Sequence, residues 1–256
     1  MDDARYGPNS ISQSLIESYL KCGLRAKFQF IEQKRIINTR MATGTGVSRA
    51  AEADNRHKID TGSGLRLPDL QEKAVTAYEN EIVLSEVVET KHEIAVGKDR
   101  TAKASVAYGQ YVSPSINGVR DTEGSITIDI DGIIYAGTPD YITLDGVGDL
   151  KTGKPWRQDR ADASRQLTAY GLLHRARYGE FPTRVWIDSV FENRGRWEAQ
   201  RLWSSRTKTD YQGFVHILKA AFSAMQGGVF LPAPEAAWWC TPKWCPYYKM
   251  CPAKGH

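Results

Sequence analysis

The stretch "GTPDYITLDGVGDLKTGK", residues 137–154, decides the fold. It carries three aspartates, two lysines and four glycines among Ile, Val, Tyr and Thr. β-Branched and aromatic residues broken by Asp-Gly read as two short strands joined by a tight turn. Side chains alternate faces along a strand, so Asp149 and Lys151 point one way and Leu150 points into the opposite layer. Asp140 lies nine residues before Asp149. Antiparallel pairing about "LDGVG" then sets the two carboxylates side by side. Two carboxylates beside an ammonium make a divalent-cation site with a catalytic lysine, and carboxylate oxygens suit Mg²⁺ or Mn²⁺. Such a site activates water and neutralises charge on a phosphoryl oxygen. A lone D-x-K is common and usually marks exposed charge on a strand, so its surroundings carry the weight. Asp145 falls in the turn and reads as a solvated acid.

Around this stretch, residues 116–152 keep a β texture. Residues 159–178 return to helix, with Leu167, Tyr170, Leu172 and Leu173 near one face. "TRVWIDSVFE" and "RWEAQRLW" predict a strand pair about Asn193, Arg194 and Gly195. Residues 207–227 predict a last helix, ended by Gly227 and Gly228. Upstream, residues 9–33 read as one helix capped by Asn9 or Ser10. Its apolar residues Leu15, Ile16, Tyr19, Leu20, Leu24, Phe28 and Ile31 fall at helical spacing. "ATGTGVSRAAEADNRHK" reads as a turn running into a second helix. "LPDLQEKAVTAYENEIV" reads as a third, begun by Pro68. Residues 97–112 favour no element. The order predicts a mixed α/β core with a helical N-terminal elaboration. One domain over 1–256 is expected: 1–115 mainly helical, 116–204 the sheet and its helix, 205–256 a helix and a cysteine tail.

A chain of 256 residues buries a sizeable core, and 41% apolar with 25% charged residues is ordinary for a globular protein. No apolar run approaches the roughly 18 residues of a membrane span. The opening "MDDARYGPNS" has no basic-then-apolar signal region, so the expectation is a cytoplasmic protein without a membrane partner. Net charge is +4, but unevenly spread: residues 1–148 sum to −4, 149–220 to +6 and 221–256 to +2. The basic excess begins where the opening stretch ends, which suits a polyanionic partner. Lys154, Arg157, Arg160 and Arg165 follow the D-x-K strand and are candidate phosphate contacts. Trp156 is a candidate to stack on an unpaired base. For each of these alone, a solvated loop is about as good a reading. Cys22, Cys240, Cys245 and Cys251 are the four cysteines, three of them as C-x4-C-x5-C. In a reducing compartment, clustered thiols point to metal or redox chemistry rather than disulfides.

"GTPDYI", "GDLKTGK" and "QLTAY" together resemble the motifs of the PD-(D/E)XK nuclease superfamily. The likeness is to its RecB-type branch, which includes iron–sulfur CRISPR-associated exonucleases and the AddB nuclease domain. There a G-x-x-D strand precedes a D/E-x-K strand and a helix bearing Q-x-x-x-Y, here Gln166 and Tyr170, which share one helical face. The resemblance implies a restriction-endonuclease-like core, a mixed central sheet flanked by helices. It implies that Asp140 and Asp149 hold Mg²⁺ or Mn²⁺ with the Leu150 carbonyl, and that Lys151 acts in catalysis. Gln166 and Tyr170 would shape the site or touch DNA. The branch also has a G-x-x-x-H-x-x-x-E helix. This chain has Gly44, Ser48 and Glu52, so Glu52 is implied as a further ligand while serine replaces the metal-binding histidine. His57 does not substitute, lying roughly 13 Å further along a continuous helix. The cysteine layout resembles the same branch, in which four such thiols hold a 4Fe-4S cluster; a four-thiolate Zn²⁺ site is the rival.

The expected function is a metal-dependent deoxyribonuclease, an exonuclease hydrolysing phosphodiester bonds at DNA ends, with DNA that is single-stranded or has free ends as its partner. The settings it suits are recombination, end resection, or phage- or CRISPR-linked processing. No G-x-x-x-x-G-K-[ST] loop occurs, so the chain carries no ATPase motor of its own and would act alone or beside a helicase, recombinase or other DNA-processing protein. The rival is a catalytically weak or inactive DNA-binding or assembly module, which the Ser48 replacement favours. An iron–sulfur redox protein is weaker, since nothing suggests an electron partner.

Overall fold

The computed structural model describes residues 10–254 except 88 and 123. Among the described residues the first element is strand β1 (Ser10–Ser12), which turns directly into helix α1 (Gln13–Lys21). Ser12 caps that helix, its hydroxyl accepting from the Leu15 amide at 3.2 Å. Asn9, one of the two caps expected, lies outside the described residues, and Ser10 belongs to the strand. The single helix expected over 9–33 is therefore broken. At Cys22 the backbone turns extended, and α2 (Gly23–Ala26) starts afresh before a π-helical turn, Lys27–Ile31. The break has a tertiary cause. A Cβ on Gly23 would stand 2.7 Å from the Leu231 backbone nitrogen, so the C-terminal tail crosses there.

Strand β2 (Ile36–Ile37) leads into α3 (Thr39–Thr61), capped by Asn38 and ended by Gly62 at φ 80°. Helix α4 (Leu67–Val83) has Pro68 in its first turn, as expected, and β3 (Glu86–Val87) pairs in parallel with β2. Residues 97–112, unassigned from sequence, form most of α5 (Lys91–Ala107) and a π-helical turn, Tyr108–Val112. The reason is the buried face of α5, which is Gly97, Thr101, Ala104, Ser105 and Ala107. Small residues let α3, α4 and α5 approach closely, and they erase the apolar periodicity that would have marked the helix. Asp54 pins this bundle from inside: fully buried, it meets Lys58 at 3.1 Å, Tyr108 at 3.0 Å, Ser113 at 2.6 Å and the Leu65 amide at 2.7 Å.

The β region then runs β4 (Val119–Asp121), β5 (Ile126–Ile130), β6 (Ile133–Gly137), β7 (Tyr141–Thr143) and β8 (Gly146–Gly153). Helices α6 (Gln158–Asp162) and α7 (Arg165–Tyr178) follow, then β9 (Arg184–Asn193), β10 (Arg196–Ser204) and α8 (Lys208–Gln226). Among the described residues a five-stranded mixed sheet has the order β10-β9-β8-β7-β4. Only β8 and β9 are parallel in it, joined by the α6–α7 crossover. A second sheet of order β1-β6-β5 stands beside it. The five-stranded sheet is packed on both faces. Val147 joins Ile11, Tyr135, Leu173 and Phe214 on one side, while Leu150 joins Val47, Ala50, Ala104 and Trp186 on the other. This is a restriction-endonuclease-like α/β fold. Within β8, Gly148 is required by packing: a Cβ would lie 2.1 Å from the Tyr141 ring and 2.6 Å from the Trp186 indole nitrogen.

Candidate active site

Tyr141 pairs with Gly148 in the β7–β8 hairpin. Asp140, one residue earlier, therefore comes level with Asp149, one residue later. Three elements fix Asp140. The Leu150 amide donates to Oδ2 at 2.5 Å, the Ser48 hydroxyl of α3 donates to Oδ1 at 3.3 Å, and the Thr122 hydroxyl donates to its backbone carbonyl at 2.8 Å. Ser48 thus stands beside the first carboxylate, at the position where the resemblance expects histidine.

Asp149 is 1% exposed. Lys151 Nζ pairs with its Oδ2 at 2.7 Å, and that buried oxygen has no other partner among the described residues. Burial pushes the Asp149 carboxyl up to about 7; Lys151 opposes this, while Asp140 and Asp188 add to it. Burial also works against the charge on Lys151, but Asp149 and Asp140 outweigh it and raise the ammonium above its ordinary range. Lys151 therefore stays charged, and the carboxyl is the member of the pair that titrates near neutrality. Its side chain is 28% exposed, so the ammonium also reaches the cleft.

That cleft, of about 570 Å³, is lined by Lys151, Gln166, Tyr170, Thr138 and Arg49, and by Ser12, Gln13 and Glu17 from the first strand and helix. The Gln166 amide donates to the Tyr170 hydroxyl at 2.8 Å, and that hydroxyl donates to the Thr138 carbonyl at 3.0 Å. Burial, with Asp149 and Asp140, pushes Tyr170 well above the ordinary phenol range, so it is a neutral donor. The pair braces the backbone two residues before Asp140.

A family model of the PD-(D/E)XK nuclease superfamily matches residues 10–252. The chain belongs to the PD-(D/E)XK nuclease superfamily. No curated protein matches it. Among solved structures, a Eubacterium rectale protein named "Putative exonuclease" superposes with a TM-score of 0.58 at 11% identity, over 91% of this chain and 88% of that one. At that identity the likeness concerns the fold alone. The protein SSO0001 covers 94% of this chain and 96% of its own, at 16% identity and a TM-score of 0.35, which carries no argument.

Within this PD-(D/E)XK nuclease fold, the other sequence-named residues are placed as follows. Glu52, one helical turn beyond Ser48, has both oxygens engaged by arginine: Arg49 at 2.7 Å on Oε2 and Arg56 at 2.7 Å on Oε1. Arg157 pairs with Asp159 at 2.5 Å and Arg165 with Glu17 at 3.0 Å. Arg160 covers the Trp156 ring at 3.8 Å, and the Trp156 carbonyl accepts from Gln200 at 2.6 Å. Lys154 is exposed at the end of β8. Cys22, Cys240, Cys245 and Cys251 line one small cavity with Leu24, Phe28 and Tyr247. Burial, then Cys22 and Cys251, push the Cys240 thiol up; burial also raises Cys245. Even so, no three His, Cys, Asp or Glu side chains among the described residues are arranged to hold a metal ion as they stand.

Sequence reasoning missed the support beneath the site. Asp188, paired with Leu150 across β8 and β9, is 1% exposed. It accepts from the Arg201 guanidinium at 2.7 and 2.8 Å, from the Trp186 indole at 3.0 Å and from the Tyr141 hydroxyl. The only sequence signal was an acid midway along an otherwise apolar strand, "VWIDSV". Sequence also missed the cleft wall of Ser12, Gln13 and Glu17, which the long-range pairing of β1 with β6 brings beside the site. Among the described residues no helix is long and apolar enough to cross a membrane.

Proposed function

We propose that this chain is a Mg²⁺- or Mn²⁺-dependent deoxyribonuclease that hydrolyses phosphodiester bonds at DNA ends. The observation that carries the reading is Asp149 Oδ2, a buried carboxylate oxygen whose one partner among the described residues is the Lys151 ammonium, with Asp140 level with it beside β7. An oxygen-only donor set with such an atom fits a hard cation. Asp140, Asp149 and the Leu150 carbonyl would hold it, and when bound it supplies charge neutralisation and water activation. Lys151 reaches the cleft and faces the charge that develops on the phosphoryl oxygens. Asp140, braced by Ser48, the Leu150 amide and Thr122, gives the centre a fixed position. Tyr170 and Gln166 hold the wall against which a sugar-phosphate backbone would lie. Glu52 reaches the centre only by exchanging an arginine partner. The four cysteines are the residues we assign to a structural 4Fe-4S cluster or Zn²⁺ ion joining the chain ends.

The test is degradation of end-labelled single- and double-stranded DNA with Mg²⁺, Mn²⁺ or EDTA, beside Lys151→Ala. Metal-dependent loss of label that vanishes in the variant supports the reading. A metal-loaded wild type inert on every DNA form sinks it in favour of a binding or assembly module, the reading that Ser48 beside Asp140 favours.

A further inference from the structure

The basic residues that sequence placed near the catalytic strand are largely engaged. Arg157 and Arg165 are ion-paired, and Arg160 lies over Trp156. Lys154 is not so engaged among the described residues, and it converges elsewhere with two further cations. Arg40 from α3, Arg100 from α5 and Lys154 from the end of β8 line one groove of about 440 Å³ with Thr43, Thr152 and Gly153. None of the three cations makes an ion pair among the described residues. Its remaining walls are Trp197, Trp238, Trp244 and a single acid, Glu192. Trp238 is 67% exposed and Trp244 40% exposed. Their rings meet edge to face at 5.7 Å, and Lys243 stands over Trp244 at 5.3 Å.

Exposed tryptophans cost solvation, and unpaired cations beside them describe a particular ligand. A base offers a π-face to an indole, and the phosphate beside it meets the guanidinium or ammonium. A duplex hides its base faces, so it would leave the indoles unused. Two elements contribute residues to both the groove and the candidate active site, which share no lining residue. Lys151 faces the cleft and Thr152 the groove, adjacent on opposite faces of β8. Along α3, Arg49 lines the cleft and Arg40 the groove.

We infer that the groove formed by Trp197, Trp238, Trp244, Arg40, Arg100 and Lys154 binds single-stranded nucleic acid by stacking its unpaired bases. The inference deepens the nuclease reading and rests on it for the strand's path past Lys151. The cysteine-bearing tail then has a second role: Trp238 and Trp244 flank Cys240 and Cys245, so whatever fixes those thiols also presents the indoles.

The experiment is binding without cleavage. Lys151→Ala protein in EDTA is titrated with a labelled oligothymidylate and with a blunt hairpin duplex, following anisotropy and tryptophan emission. The expected result is at least tenfold tighter binding of the single strand, with quenched emission. Trp238→Ala with Trp244→Ala should weaken single-strand binding about tenfold or more, a typical loss per stacked base, and abolish most of the quenching. Arg40→Glu with Arg100→Glu leaves the tail untouched and should weaken binding and make its dependence on salt shallower, since fewer phosphates are neutralised; it covers the case in which the tryptophan variant fails to fold. Equal affinity for both DNA forms, or folded variants that bind like the parent, overturns the inference even if the wild type cleaves DNA. Preferential single-strand binding that needs these residues, in a wild type that cleaves nothing, removes the nuclease reading and leaves the groove as a binding site.

Discussion

The Leu150 amide and the Asp140 carboxylate are 2.5 Å apart, so the backbone of β8 itself holds the first acid in place. The second acid sits one residue before that amide. A one-residue slip of β8 would turn Asp149 away and break the Asp140 contact together.

Lys151→Ala should abolish DNA cleavage while single-strand binding survives, because the ammonium faces the cleft and the groove lies beyond it. Lys151→Arg keeps charge but not the compact ammonium, and should restore less than a tenth of the rate. Single-turnover rates on labelled DNA check this, and a fully active arginine variant would contradict it.

The metal-free protein should lose stability as pH rises. Asp149 titrates near 7 in the fold and near ~3.9 when unfolded, so its neutral form favours the folded state. That contribution is complete below the unfolded value and is lost as pH passes through the folded one. In EDTA, Asp149→Asn should therefore melt higher than wild type at pH 8, with the gap narrowing as pH falls and closing only towards pH ~4. Identical melting slopes with pH would refute this.

Ser48→His should change metal use. The Ser48 hydroxyl already contacts Asp140 at 3.3 Å, so an imidazole there adds a nitrogen donor beside the carboxylates. Nitrogen suits Mn²⁺ better than Mg²⁺. The expected outcome is several-fold higher Mn²⁺-supported activity with little gain in Mg²⁺; no change in either metal rejects it.

Arg201→Leu should be strongly destabilising. It leaves Asp188 buried and unpaired, a loss on the order of 3–5 kcal/mol. Adding Asp188→Asn should recover much of it, since the uncompensated charge is then gone. Urea denaturation of the two variants measures this, and an additive double variant would argue against the pairing.

Cys22→Ser should release the tail. Cys22 meets the three C-terminal cysteines in one cavity and caps α2 through the Arg25 amide at 3.4 Å. Limited proteolysis should then cut within 228–254 faster than in wild type. Anaerobic purification separates the two occupants of the thiols: a brown, visibly absorbing protein holds iron and sulfide, a colourless one with one equivalent of metal holds zinc.

The sequence by itself determined the local parts. The hairpin bearing Asp140, Asp149 and Lys151 followed from period-2 alternation and an Asp-Gly turn, and Gln166 and Tyr170 from a four-residue helical step. Helix α4 carried its Pro68 start, α8 its closing glycines, and the β9–β10 pair its turn and apolar pattern. What only the tertiary structure decided came from long-range contact. The tail crosses at Gly23 and breaks the first helix. Small residues hide α5 by packing it. Ser48 meets Asp140 across 92 residues, and Glu52 goes to arginines instead. The tryptophans of a loop-like tail come to lie beside Arg40 and Arg100 from helices far upstream. Spacing and periodicity describe neighbours along one element; which elements meet depends on burying surfaces that no local window contains.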